Sequence, residues 1–172
     1  MRSLVVYESW FGNTRQIAEK VAEALAAEGD VQLRSVDDPR PVLNHVDLIV
    51  VGAPTHVHGL SSERSRTGAI DQRGLDGEAG IGARGWIEQL PLCGGAPVAV
   101  FDTRADKPAL LVGSAAHGMV RRLRHRGYRL LVEPESFFVE GTPGPLEEGE
   151  IERAAEWGAS LARQVVGAVA PV

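Results

Sequence analysis

The chain has 172 residues, 44% of them hydrophobic, a formal net charge of −5 and one cysteine. That length and apolar content suit one domain with a full core, and the mildly acidic balance argues against a nucleic-acid-binding face. A lone Cys93 excludes an internal disulfide and a CxxC metal or redox pair. Met1-Arg2-Ser3 runs directly into a short apolar strand, so no signal peptide is predicted. No run nears the roughly eighteen apolar residues of a membrane span. A soluble, cytoplasmic protein is expected, and a reducing compartment fits the cysteine usage.

Taken in chain order, Leu4–Tyr7 predicts a first strand, and Ile17, Val21, Ala24 and Leu25 lie at helical spacing behind it. Gly29-Asp30 breaks the chain before Val31–Val36, an alternating run that predicts an edge strand. A short connection with Pro39 and Pro41 leads to Val46–Val51, whose continuous apolar character predicts a strand buried on both faces; Pro97–Phe101 repeats it. Ser114 is a good N-cap for a helix reaching about Arg126, with Gly127 as its C′ residue. Tyr128–Val132 and Ser136–Val139 predict a last strand interrupted near Pro134. Leu146–Val166 predicts a closing amphipathic helix with Ile151, Ala154, Ala155, Leu161 and Val165 inward.

This alternation is the grammar of a three-layer α/β sandwich. Right-handed crossovers place all strand carboxyl ends on one edge, where the loops form a ligand site. Residues 1–172 then read as a single domain with a long connection between the third and fourth strands at 60–91. Within it a helix is expected inside Ser62–Arg73 and a turn around Trp86–Leu90, joined by a flexible Gly-rich stretch.

Three loops should meet at the carboxyl edge: Ser9-Trp10-Phe11-Gly12-Asn13-Thr14, then Pro54-Thr55-His56-Val57-His58-Gly59, then Asp102-Thr103-Arg104. In the first, a β-branched strand gives way to hydroxyl, glycine and amide residues, and a helix starts at once. The first N–H groups of a helix lack internal partners and carry the positive end of its dipole, so such a turn suits a phosphate.

At these residues the chain resembles the flavodoxins, whose first loop reads Thr/Ser-x-Thr-Gly-x-Thr; Ser9, Gly12 and Thr14 match, and Phe11 stands where the family usually has a hydroxyl. The resemblance implies an α/β/α sandwich around a five-stranded parallel sheet of order 2-1-3-4-5, with FMN bound where the chain crosses between its first and third strands, the arrangement for which flavodoxin is itself the standard example. It implies that Ser9, Asn13 and Thr14 donate to the FMN phosphate, with Trp10 and Phe11 in the same loop and Gly12 letting it close. It further implies that the second and third loops hold the flavin ring. Neither loop carries an aromatic, so His56, His58 and Arg104 would replace the usual stacking side chains. That exchange would raise the potential of the second reduction step. The His58-Gly59 peptide would reach the ring's edge nitrogen.

The function so implied is an electron carrier that works with redox partner proteins, without catalytic side chains or metal. Two alternatives stand beside it: an FMN-dependent oxidoreductase acting on a quinone, a protoporphyrinogen-like compound or NAD(P)H, and a flavin-free domain that has kept the fold. Other motifs are weaker. Gly80-Ile81-Gly82-Ala83-Arg84-Gly85 satisfies G-x-G-x-x-G but follows polar turn residues, not a strand. His56-x-His58 lacks a fuller metal-ligand set, Arg121–Arg126 reads as a solvated helix end, and no Gly-x-Ser-x-Gly elbow is present.

Overall fold

The computed structural model describes residues 1–39, 45–56, 59–73, 80–108, 113–141 and 144–169. Five strands, β1 (Arg2–Tyr7), β2 (Asp30–Ser35), β3 (Leu48–Pro54), β4 (Val98–Ala105) and β5 (Glu135–Val139), form one sheet in the order β2-β1-β3-β4-β5. All four pairings are parallel, with Leu4 opposite Ile49 and Val51 opposite Val100 in register. The helices are α1 (Asn13–Ala26), α2 (Glu63–Arg73), α3 (Gly82–Glu88), α4 (Ala115–His125) and α5 (Glu150–Val169).

Because strand side chains alternate, the apolar runs of the three central strands serve both faces of the sheet. Leu4, Val6, Ile49, Val51, Val98 and Val100 meet Ala83, Trp86 and Ile87 of α3 and Met119 and Leu123 of α4. Val5, Leu48, Val50, Ala99 and Phe101 meet Ile17, Val21 and Leu25 of α1 and Ala154, Leu161 and Val165 of α5. The second face holds an aromatic trio: Phe101, Phe137 and Trp157 stand edge-to-face with centroids 5.7 to 6.0 Å apart. Ser114 caps α4 by accepting from the His117 amide at 3.3 Å, and Gly127 takes the left-handed φ of 83° that closes it.

Several boundaries differ from the sequence reading. β3 runs on through Gly52-Ala53-Pro54 and β4 through Asp102-Thr103-Arg104-Ala105, since both stay paired in register to Pro54 opposite Thr103. Of the segment 128–132, Leu130 forms an isolated bridge to Val98, whose amide donates to the Arg129 carbonyl at 2.9 Å and whose carbonyl accepts from the Leu131 amide at 2.8 Å; the segment adds one bridge to the sheet and no strand. The last helix starts at Glu150 and not Leu146: Leu146 bridges back to Val139, and the Glu147 amide donates to the Phe138 carbonyl at 3.0 Å. In the long connection α2 falls where expected, but the turn near Trp86 is a two-turn helix, α3, because Ala83, Trp86, Ile87 and Leu90 all enter the core. Residues 74–79, central to the Gly-rich stretch, lie outside the described residues.

Candidate functional site

Beyond Tyr7 the chain turns into α1 within five residues. Gly12 makes that turn possible with a φ of 94°, a region costly for any side-chain-bearing residue, and the space where a Cβ would sit is open. Ser9 organises the turn: its Oγ accepts from the amides of Gly12 and Arg15, each at 3.2 Å. Two accepted bonds leave the Ser9 O–H itself to donate outward. Gly144 (φ 116°) closes over the loop from the β5–α5 side. A Cβ there would lie 2.2 Å from the Asn13 side-chain nitrogen Nδ2. Trp10 and Phe11 are half-exposed, and Arg15, at the first turn, is drawn off into an ion pair with Glu19 at 2.7 Å.

The third loop meets the first through two buried hydroxyls, Thr14 Oγ1 and Thr103 Oγ1, 2.7 Å apart. Thr103 points toward α1 because it shares the face of Phe101; its neighbours on the strand point the other way. Asp102, with no solvent exposure, therefore enters the opposite layer. There its Oδ2 accepts from Ser114 Oγ at 2.7 Å, Thr55 Oγ1 at 3.0 Å and the Ala116 amide at 3.0 Å, at the positive end of α4. Thr55 Oγ1 in turn accepts from the Ala115 amide at 2.9 Å. Arg104 reaches across to β5: Nε donates to Ser136 Oγ at 3.2 Å and the guanidinium lies 5.0 Å from the Phe138 ring centre. Ser9, Trp10, Phe11, Gly12, Asn13, Thr14 and Thr103 are thus brought together, whereas Asp102 and Thr55 hold the start of α4 and Arg104 ties β4 to β5.

After Pro54, His56 and Gly59 pair with each other, amide to carbonyl both ways, at 2.8 and 2.9 Å. Val57 and His58 lie outside the described residues. His56 is half-buried, and burial pushes its pKa below the ordinary 6.5, with Arg66 adding to the shift and Glu8 opposing it. A depressed folded value means the unfolded chain binds more protons between the two pKa values. The corresponding stability is complete above pH about 6.5 and is lost as pH falls through the folded value. His56→Gln is expected to lose less stability than the parent between pH 7 and pH 5; urea midpoints at the two pH values would show it.

One group of site residues was missed from the sequence. Glu8 is only 2% exposed. Its Oε1 accepts from Trp10 Nε1 at 2.9 Å and its Oε2 from the Ala83 amide, in the first turn of α3, at 2.8 Å. The carboxylate thus lies on the α3 face of the sheet, at the amino end of that helix and not of α1. Close by, Arg66 of α2 is 6% exposed and donates to Ser61 Oγ at 3.2 Å, with its Nε buried and unpartnered. Gly82, at φ 61°, is the point where these groups converge: a Cβ there would be 2.8 Å from Arg66 Nη1, 3.0 Å from Ser61 Oγ and 3.1 Å from Glu8 Oε2. Asp37, whose pKa is raised by burial and then by Glu8, packs against Gly80 on the same side. The only signal in the sequence was a charged residue placed directly between the strand and the loop it feeds.

A parallel 2-1-3-4-5 sheet, helices on both faces, and a glycine-hinged hydroxyl loop where the first strand enters its helix define a flavodoxin-like fold. Residues 4–65 match the family model described as flavodoxin domain. Among solved structures the chain is similar to a flavodoxin from the domain Archaea (TM-score 0.66, 19% identity, covering 96% of this chain and 99% of that one). It is also similar to two flavodoxins of Bacillus cereus. Flavodoxin 1 aligns at TM-score 0.62 and 19% identity, over 99% of this chain and 100% of that one. Flavodoxin 2 aligns at 0.63 and 22%, over 95% and 99%. No curated protein matches the sequence. Among the described residues no three His, Cys, Asp or Glu side chains gather as a metal site, and no helix is long and apolar enough to cross a membrane.

Proposed function

We propose that the protein binds FMN non-covalently at the carboxyl edge of its sheet and carries electrons between redox partner proteins in the cytoplasm. The observation that carries this reading is the Ser9–Gly12–Arg15 turn, a cradle held by internal hydrogen bonds with open space on its outer side.

The donor set fits a phosphate monoester. The Ser9 hydroxyl and the first-turn amides of α1, at Asn13 and Thr14, would hold it, with the helix dipole in support. The Thr14–Thr103 bond consumes one of two hydroxyl protons, which leaves the other for a phosphate oxygen. Trp10, Phe11, Pro54, Thr55, His56, Val57, His58 and Gly59 are the residues proposed to flank the remainder of the cofactor, with Asp102, Thr103 and Arg104 in support from β4. FMN, when bound, supplies one-electron transfer; the chain's residues bind it, orient it and control its contact with water.

The test is uptake of added FMN, followed by flavin fluorescence quenching. Ser9→Ala removes a hydrogen bond to a charged group, worth roughly 1.5–3 kcal/mol, so FMN affinity is expected to fall at least about tenfold. Riboflavin, which has no phosphate, should bind parent and variant alike. A parent protein that stays colourless and takes up no FMN would overturn the reading in favour of a flavin-free domain.

A second reading, an FMN-dependent oxidoreductase with its own small substrate, is favoured by one observation. The 60–91 segment is tied to the start of the first loop: the Ala83 amide donates to Glu8, whose carboxylate also accepts from Trp10. Oxidation of NADPH by the FMN-loaded protein without a partner reductase would select it over the carrier.

A further inference from the structure

At the amino edge of the sheet, far from the cradle, α3 and α4 end side by side. Glu88, Arg121, Arg122, His125 and Arg126 line a cavity there of about 370 Å³. We propose that this cavity is a binding site for a phosphate-bearing small molecule.

Charge is the first argument. Three guanidinium groups and an imidazole face one carboxylate, in a chain whose net charge is −5. That carboxylate, Glu88, is 59% exposed and stands 3.7 Å from Arg122 Nε. Burial pushes the Arg122 pKa down, and the positive charges of Arg84, on α3, and Arg121 add to the shift. Arginines crowded this way repel one another, and an anion between them removes the repulsion.

Hydrogen bonding is the second argument. Arg122 Nη1 donates to the Gly118 carbonyl at 3.1 Å and Arg126 Nη2 donates to the Leu90 carbonyl, so backbone contacts fix the direction of both side chains. Nε of Arg126 is buried without an acceptor, the one such side-chain atom on a residue that lines this cavity among the described residues. A buried donor left unmade is costly, and phosphate oxygens match guanidinium forks in geometry and charge. A helix C-terminus alone does not call for this many cations, because its dipole rewards them by only about 0.3–1 kcal/mol and Arg124 already stands exposed beside it. The volume is that of a small-molecule pocket. Since α4 begins at Asp102 on the carboxyl edge and is 11 residues long, its far end lies roughly 16 Å away, and this site is not the FMN cradle.

The probe is inorganic pyrophosphate, titrated calorimetrically at low ionic strength into the full-length protein saturated with FMN. Ser9→Ala serves as the background if FMN does not bind. ADP in a parallel titration distinguishes a nucleotide-borne phosphate from a free one by which binds more tightly. Arg121→Glu reverses an exposed charge with no structural bond and is expected to weaken binding at least tenfold. Glu88→Gln removes the single opposing carboxylate and is expected to tighten it several-fold. Absence of binding by both probes overturns the proposal, as does binding that Arg121→Glu and Glu88→Gln leave unchanged. Binding that disappears only with Ser9→Ala also overturns it, since the probe then sits in the cradle.

Discussion

Glu8→Ala is expected to destabilise the protein by roughly 2–4 kcal/mol and to free the start of α3 from the first loop. The carboxylate accepts from two donors, the half-exposed Trp10 Nε1 and the buried Ala83 amide. A donor stripped of its acceptor in a buried setting costs about 1–3 kcal/mol, more where the lost partner is charged. The loss also removes a negative charge that converges with the buried Arg66 guanidinium on Gly82. In urea the midpoint should fall by about 1–2 M for a chain of this size. Amide exchange at Ala83 should rise well beyond what the global loss of stability explains. Glu8→Gln keeps one acceptor oxygen and should recover part of the stability. Full-strength folding by Glu8→Ala would show that the long connection is held by its apolar contacts alone, through Trp86, Ile87 and Leu90.

Glu8 also marks what the sequence could and could not disclose. The strands were legible because Leu4–Tyr7, Val46–Val51 and Pro97–Phe101 are local apolar runs, and the closing features of α4 are single residues, Ser114 and Gly127, with one conformational use each. Glu8 gave no such signal: its partner Ala83 is 75 residues away, so only the fold reveals that the carboxylate is buried. Asp102 and Arg104 read as loop residues because polar side chains usually end a strand. β4 continues past them, and the alternation of its pleat sends Asp102 to the N-terminus of α4 and Thr103 to Thr14. α3 was hidden by its glycines. Helix propensity is low across Gly80–Gly85, yet Ala83, Trp86, Ile87 and Leu90 bury enough apolar surface to override it. Leu146 looked like the first turn of α5 for the opposite reason, an apolar residue whose burial comes from pairing with Val139.

Gly52→Ala carries the other large effect, and its sign separates space from backbone. Gly52 has no left-handed φ, so alanine is conformationally allowed, and by chain entropy alone the exchange would stabilise by about 0.4–1 kcal/mol. Space forbids it. A Cβ on Gly52 would lie 2.1 Å from Cζ of the Phe101 ring and 2.5 Å from Cε1. That ring cannot step aside, being fully buried and wedged edge-to-face against Phe137 and Trp157 at 5.7 and 5.9 Å. Both residues sit in the register that joins β3 to β4, directly opposite one another, so relief requires the two central strands or the aromatic trio to move. Overpacking of this kind costs about 3 kcal/mol, the upper end of its usual range, and the thermal midpoint should drop by roughly 6–12 °C for a domain of this length. Gly95→Ala is the matched control: nothing lies within 4 Å of its Cβ and its φ is not left-handed, so it should be neutral or slightly stabilising. The double variant Gly52→Ala with Phe101→Leu gives the decisive comparison. If the ring is the obstacle, shortening it makes room for the new methyl, and the pair loses at least about 1 kcal/mol less than the two single changes added together. Strict additivity would instead place the cost in the strand backbone and remove Gly52 from the list of residues that shape the sheet's central packing.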